Sequence, residues 1–121
     1  PKYKALNKLS DIYLDSIGFS SSTTTLESIE TNIPIVTFRG NLMRGRLTTG
    51  ILEMMGMRET IAETLDEYVA ISIRLGNDLK WRRQIFKKIA ANKHRIYRDK
   101  ECITALEDFL EKAVEEKNKD K

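Results

Sequence analysis

The sequence predicts an α/β fold with a short parallel sheet and a helical C-terminal half. Residues 12–14 and 35–38 are short, apolar and partly β-branched, as buried strands are. A helical pattern follows each of them, which is the order expected when crossover helices join parallel strands. Beyond residue 66 the spacing of apolar residues is helical almost to the end of the chain.

The remaining elements follow from apolar spacing and from the residues that start or stop helices. We expect a helix over 24–30 with Leu26 and Ile29 inward, a turn over 39–41, a helix over 43–55 stopped by Gly56, an edge strand over 61–62, a helix from the N-cap Asp66 to Leu75 ended by Gly76, and helices over 79–96 and 101–117. The three methionines 54, 55 and 57 are expected to fill the core.

The chain is expected to be one domain over residues 1–121, with a frayed tail over 117–121. Two or three strands are too few for a complete doubly wound sheet. The chain also begins at Pro1 without a methionine. We therefore expect it to be part of a longer protein whose other strands precede Pro1.

Composition gives no support to several classes of function. The net charge of +3 in 121 residues is too small to argue for nucleic acid, and no apolar run has the length of a membrane helix. The single cysteine, Cys102, is consistent with a reducing compartment, so we expect a cytoplasmic protein. Cys102 and His94 alone are too few ligands for zinc, and we expect neither metal nor cofactor.

A run of hydroxyl residues from Ser20 to Thr25 lies between the first strand and its helix. The free N–H groups of a helix N-terminus, with threonine hydroxyls beside them, suit a diphosphate. Glu27, one turn further on, suits a sugar diol because a carboxylate only accepts hydrogen bonds. The alternative is a capping box formed by Thr24 and Glu27, and the residues alone favour that interpretation.

The order of several segments resembles the C-terminal catalytic lobe of the O-GlcNAc transferase family, glycosyltransferase family 41. The matching segments are Asp11-Ile12-Tyr13-Leu14-Asp15, Ser22-Thr23-Thr24-Thr25-Leu26-Glu27, Ile33-Pro34-Ile35-Val36-Thr37, the stretches 40–46, 66–69 and 74–78, and Leu106-Glu107-Asp108-Phe109-Leu110. The resemblance implies a partial Rossmann-like sheet from the C-terminal lobe of a GT-B fold. It implies a UDP-sugar as donor substrate, N-acetylglucosamine or a related sugar being transferred to protein Ser or Thr.

The resemblance also favours the diphosphate interpretation of the turn. It implies that Ser22, Thr23, Thr24, Thr25 and Arg46 form the diphosphate site. The acidic residue of the same turn, Glu27, is implied to contact ribose. For Arg46 the alternative is an ordinary surface arginine. The base-reading residues and the catalytic base of the family lie outside this segment, so we assign no catalytic residue here and expect the chain alone to be inactive.

The implied partners are a UDP-sugar, a protein acceptor and the rest of the same chain, namely an N-terminal lobe and tetratricopeptide repeats, with no nucleic acid and no membrane. The alternative function is a noncatalytic interaction domain that keeps the GT-B fold. Ser21 and Ser22 motivate it, because the family has Gly at the first position and His or Gly at the second. A basic helix around Trp81 with Arg82 and Arg83 leaves nucleic-acid binding as a third hypothesis, although a solvated face with Trp81 packed against a neighbour is favoured.

Overall fold

The computed structural model describes residues 2–119 and 121. Pro1, and Asp120 of the expected tail, lie outside the described residues. The elements are α1 (Lys2–Leu9), β1 (Tyr13–Leu14), α2 (Thr23–Glu30), β2 (Ile35–Phe38), a 3₁₀ helix (Met43–Gly45), α3 (Leu47–Met54), β3 (Ile61–Ala62), α4 (Leu65–Asn77), α5 (Leu79–Asn92), a second 3₁₀ helix (Lys93–Ile96) and α6 (Glu101–Lys119).

The three strands form a parallel sheet in the order β1-β2-β3. Tyr13 pairs with Ile35 at one side of β2, and Thr37 pairs with Ile61 at the other. Helices α2 and α3 are the crossovers that parallel pairing requires. The predicted α/β fold, with its short parallel sheet and helical C-terminal half, is confirmed.

The core lies between this sheet and the helices that cross it. Its buried apolar side chains are Ile29, Ile35, Val36, Leu52, Met55, Met57, Ile61, Leu75, Ile85 and Ile89. Met55 and Met57 are fully buried as predicted, but Met54 is 46% exposed. Leu26 is 38% exposed, so its predicted inward placement is wrong. The inward face of α2 carries Thr25 and Ser28 beside Ile29, and polar contacts replace the expected apolar face.

The helix predicted over 43–55 is interrupted at Arg46. Met43–Gly45 is a 3₁₀ turn, and α3 begins only at Leu47. The backbone of Gly40 lies against that of Gly45, with the Gly40 N–H donating to the Gly45 carbonyl at 3.1 Å. A Cβ on Gly40 would stand 2.9 Å from the Gly45 Cα, so glycine is required there. This close approach closes the loop before α3 starts.

Other boundaries differ because caps lie elsewhere than predicted. The N-cap of α4 is Thr64, whose Oγ1 accepts from the Glu67 N–H at 3.1 Å, so Asp66 is in the first turn. Helix α4 runs through Gly76 to Asn77, where Asp78 caps α5 by accepting from the Trp81 N–H. Helix α5 tightens to 3₁₀ geometry at Lys93.

Two helices differ more from the prediction. Helix α1 was not predicted, because its sequence is polar and it contacts α2 through Asn7, which donates to Ser28 Oγ. Helix α6 continues two residues past the predicted end, to Lys119. Its apolar face is more than half exposed at Ile103, Leu106, Phe109, Leu110 and Val114.

Candidate functional site

The first turns of α2 and α3 meet at the carboxyl ends of β1 and β2. The loop after β1 and the loop after β2 are joined by the Ser20 N–H, which donates to the Arg44 carbonyl at 2.8 Å. The Thr48 N–H in the first turn of α3 donates to Ser20 Oγ at 2.9 Å. Ligands of open parallel sheets bind at this edge, and two helix N-termini, each the positive end of a helix dipole, meet there.

Asp15, the residue after β1, organises this edge. Its side chain is buried, and Oδ2 accepts from Ser20 Oγ at 2.6 Å and from Thr37 Oγ1 at 2.8 Å. Its Oδ1 accepts from the backbone N–H and the hydroxyl of Ser21, both at 2.9 Å. Four donors thus satisfy a buried carboxylate, which fixes the Ser20–Ser21 turn against two strands.

Tyr68 of α4 holds the main chain of the same residue. Its phenol donates to the Asp15 carbonyl at 2.9 Å. Burial, and secondarily the nearby Asp15 charge, raises the pKa of the Tyr68 phenol. The phenol therefore stays protonated across the physiological range and remains a donor.

The side chain of Ser21 points into the protein. Its Oγ lies 2.8 Å from the Tyr13 phenol oxygen and 2.7 Å from Thr25 Oγ1, besides its bond to Asp15. Thr25 Oγ1 lies in turn 2.8 Å from Thr48 Oγ1. The hydroxyls of Ser21, Thr25 and Thr48 therefore lie in contact with one another between the first turns of the two helices.

The start of α2 has no side-chain cap. Ser22 is the N-cap residue, but its hydroxyl makes no capping hydrogen bond. The predicted capping box of Thr24 and Glu27 is wrong, because Thr24 already lies inside the helix and its hydroxyl contacts Tyr13. The first helical bond runs from the Leu26 N–H to the Ser22 carbonyl. The preceding N–H groups, those of residues 23–25, are left without intrahelical acceptors.

The predicted diphosphate residues occupy different depths in this turn. Ser22 and Thr23 are exposed, Thr24 is half-buried, and Thr25 is fully buried with its hydroxyl engaged inside the protein. Glu27 is exposed one turn further along α2. The structure thus brings residues 22–24 to the surface at the helix start, while Thr25 lies behind them and joins α2 to α3.

Arg46, the predicted arginine of the site, is the exposed N-cap residue of α3. Arg44, two residues earlier, is also exposed, but it lies in the 3₁₀ turn and its carbonyl binds Ser20. Because the Ser20–Thr48 bond joins the two helix starts, Arg46 lies at the same edge of the sheet as the α2 turn.

Sequence reasoning missed Asp15, Tyr13 and Thr48 as members of this site. Asp15 directly follows a strand and precedes the hydroxyl run, which is a position where a carboxylate can bind the turn. That order in the sequence was the signal that could have identified Asp15 as a member of the site. Thr48 lies in α3, and nothing local in its sequence indicates contact with residue 25.

Arg39 forms a second, separate cluster just after β2. Its guanidinium donates to Glu53 at 2.6 Å and to Glu63 at 2.7 Å. The hydrogen bond from Arg39 holds the pKa of the Glu53 carboxyl below its ordinary value, against the opposing effect of burial. These ion pairs tie β2 to α3 and to the end of β3.

The basic helix α5 packs against the core through Trp81. The indole is half-buried against the core, and the Arg74 guanidinium lies over its ring, 3.9 Å from the centroid. Arg82 pairs with Asp11 at 3.5 Å. These contacts agree with the favoured interpretation, in which Trp81 packs against a neighbour. They also leave the Trp81 ring and the Arg82 guanidinium less available to nucleic acid.

The part of the chain that the structure describes holds neither a metal-binding cluster nor a helix fit to span a membrane. Residues 2–119 and 121 contain no cluster of three or more His, Cys, Asp or Glu side chains placed to hold a metal ion. None of the described helices combines the length and the apolar character needed to cross a membrane.

Comparisons with known proteins agree with one another. Residues 4–101 match the protein family described as Glycosyl transferase family 41. Over 71 residues the chain is 35% identical to the probable UDP-N-acetylglucosamine–peptide N-acetylglucosaminyltransferase SPINDLY of Petunia hybrida. Over 71 residues it is also 35% identical to the UDP-N-acetylglucosamine–peptide N-acetylglucosaminyltransferase of Caenorhabditis elegans. Each match covers 59% of this chain. A solved O-GlcNAc transferase mutant from Thermobaculum terrenum superposes on 90% of the chain with a TM-score of 0.78 and 31% identity.

The chain corresponds to only a small part of these proteins. The matched region is 8% of the Petunia protein, 6% of the nematode protein and 21% of the solved Thermobaculum chain.

Proposed function

The chain belongs to glycosyltransferase family 41, and we propose that it is the segment of a glycosyltransferase that binds the diphosphate of a nucleotide-sugar donor. The first turn of α2 is the observation that carries this proposal. It lies at the carboxyl end of β1, its hydroxyl cap is absent, and its leading N–H groups have no intrahelical acceptor. Such a turn is suited to an anion.

The donors proposed for the diphosphate are backbone N–H groups and the hydroxyls of Ser22, Thr23 and Thr24. Ser22 and Thr23 are exposed, and Thr24 is half-buried beside them. Thr25, which the sequence placed among the direct contacts, has an indirect role in this proposal. Its buried hydroxyl holds α2 on α3 through Thr48, and its backbone N–H is among those left without an intrahelical acceptor.

Glu27 is proposed to hold the ribose of the donor. It is exposed on the next turn of α2, and a carboxylate accepts from both hydroxyls of a diol. Arg46 is proposed to add positive charge from the N-terminus of α3. The two helix dipoles and this guanidinium would stabilise the diphosphate leaving group as the bond to the sugar breaks.

The complete enzyme is proposed to transfer N-acetylglucosamine or a related sugar from a UDP-sugar to Ser or Thr of a protein, in the cytoplasm. The names of the relatives, which give N-acetylglucosamine as the sugar and a peptide as the acceptor, support that sugar and a protein acceptor. The rest of the proposed chain is an N-terminal lobe with tetratricopeptide repeats. The exposed apolar face of α6 supports packing against another part of the protein.

A transfer assay on the full-length protein tests this proposal. Wild type is assayed with UDP-N-acetylglucosamine and with other UDP- and GDP-sugars, because no base-reading residue is assigned in this segment. Glu27→Ala should raise KM for the accepted donor about tenfold through loss of bonds to a charged acceptor. Glu30→Ala, on the last turn of α2 and paired with Lys4, is the matched control and should leave KM unchanged.

The alternative, a noncatalytic interaction domain, predicts no transfer from any donor. Ser21 and Ser22 motivated it. Ser21 Oγ is turned inward to Asp15, Tyr13 and Thr25, which leaves Ser22 as the serine that faces an approaching diphosphate and favours the binding hypothesis.

A further inference from the structure

Tyr13 contacts the Thr24 hydroxyl at the open first turn of α2. The two side-chain oxygens lie 3.3 Å apart. The same phenol oxygen lies 2.8 Å from Ser21 Oγ, which is bound to Asp15. A single line of hydroxyls therefore connects the proposed diphosphate site to a buried carboxylate.

The carboxylate fixes the direction of each hydrogen bond along this line. It only accepts, so Ser21 spends its one hydroxyl proton on Asp15 Oδ1. Ser21 Oγ is then an acceptor, and Tyr13 donates to it. The phenol has no second proton, so Thr24 is the donor in the contact between Tyr13 and Thr24.

We propose that Tyr13 is a positioning residue that keeps the Thr24 hydroxyl proton directed inward, so that Thr24 is a latent donor to the diphosphate. The inference rests on the proposed function. With its proton committed to Tyr13, Thr24 presents oxygen lone pairs to the turn, and lone pairs repel a phosphate oxygen. The exposed hydroxyls of Ser22 and Thr23 and the backbone N–H groups then supply the binding.

This arrangement makes Tyr13 a competitor of the ligand. A diphosphate receives the Thr24 proton only after the contact with Tyr13 is broken. Tyr13→Phe removes the competing oxygen and keeps the ring that packs against the core. The variant should therefore bind more tightly, which is the opposite of what the loss of a direct ligand contact would cause.

The experiment is a calorimetric titration of the full-length protein with UDP and GDP, and with uridine and guanosine as probes that lack phosphate. For whichever diphosphate binds, Tyr13→Phe should tighten the affinity about threefold to tenfold, the range of one recovered hydrogen bond. The affinity for the free nucleoside should not change. Tyr3→Phe is the matched control, because the Tyr3 phenol touches α2 at Ser28, 3.4 Å away, outside the site.

Two more variants independently test the proposed direction of the hydrogen bonds from Thr24 to Tyr13 and from Tyr13 to Ser21. Ser21→Ala removes the acceptor of the Tyr13 proton, so Tyr13 can donate to Thr24 and free the Thr24 proton; this variant should also bind the diphosphate more tightly. Thr24→Ala should abolish the gain in the Tyr13→Phe background, while alone it weakens binding less than about threefold.

Unchanged or weaker diphosphate binding by both Tyr13→Phe and Ser21→Ala, with thermal unfolding like that of wild type, would overturn this inference. The proposed function would still stand. If wild type binds neither UDP nor GDP at millimolar concentration, the proposed function is wrong and the inference falls with it.

Discussion

The side-chain oxygens of Thr25 and Thr48 lie 2.8 Å apart, so a buried hydrogen bond joins the first turns of α2 and α3. Thr48 Oγ1 also donates to the Ser21 carbonyl at 2.9 Å. The Thr48 hydroxyl therefore links α3 both to α2 and to the turn before it, in addition to the bond from the Thr48 N–H to Ser20 Oγ.

Thr48→Val should lower the free energy of unfolding by about 1–2 kcal/mol, because the isosteric methyl leaves buried polar partners unpaired. The adjacent Thr49→Val is the matched control. Thr49 is equally buried, and within the described residues its hydroxyl has no hydrogen-bond partner. Its replacement should be neutral or stabilising. Urea unfolding of both variants checks the pair, and an equal loss in both would contradict the role given to Thr48.

Asp15→Ala should be among the most destabilising substitutions in the chain. It removes the acceptor of four hydrogen bonds in a buried site, with an expected loss of about 3 kcal/mol in the free energy of unfolding. Asp11→Ala serves for comparison. Asp11 lies just before β1, is exposed and pairs with Arg82, so its loss should change stability by less than about 1 kcal/mol. Similar unfolding midpoints for the two variants would refute the importance of Asp15.

Gly40→Ala should destabilise the loop that precedes α3. The new Cβ would lie 2.9 Å from the Gly45 backbone, which cannot move without displacing the Ser20–Arg44 contact. Gly50→Ala, inside α3, meets no atom within 4 Å and should stabilise the helix by up to about 1 kcal/mol. Thermal unfolding should therefore shift in opposite directions, and a rise in Tm for Gly40→Ala would contradict the close approach.

The pair of Arg39 and Glu53 should make stability depend on pH. Arg39 lowers the pKa of the folded-state Glu53 carboxyl, so the pair contributes above the unfolded-state pKa and its contribution is lost as pH falls through the folded-state pKa. Arg39→Met should cost at most about 1 kcal/mol near pH 7, because both side chains are partly exposed.

Urea titrations of wild type and Arg39→Met from about pH 7 down to about pH 4 check this sign. The difference between the two proteins should shrink on acidification. A difference that stays constant or grows would mean that the ion pair does not set the Glu53 pKa.

Local sequence was enough to predict the strands and the turn between β1 and α2. The strand Ile35–Phe38 was placed correctly because β-branched residues follow Pro34. The start of α2 was predicted within one residue from its hydroxyl run. These features depend on neighbours in the chain, which a sequence displays directly.

The organisation of the site could not be predicted in the same way, because its contacts join distant residues. Asp15 reaches Thr37 across 22 positions, and Ser20 reaches the Thr48 N–H across 28. Apolar spacing alone predicts one helix over 43–55. In the structure that helix is interrupted at Arg46, next to the contact between Ser20 and Thr48. Helix α1 was not predicted because it contacts α2 through polar residues, whereas the prediction of helices relied on a stripe of apolar residues.

The most direct test of the central claim is a calorimetric titration of the full-length protein with UDP and GDP, in wild type, Thr23→Ala and Thr31→Ala. Thr31 caps the far end of α2, where its hydroxyl donates to the Ser28 carbonyl. If the open turn holds the diphosphate, one of the two nucleotides binds wild type, and Thr23→Ala weakens that affinity about tenfold while Thr31→Ala does not. Absence of binding at millimolar nucleotide, or equal binding by wild type and Thr23→Ala, would contradict the account.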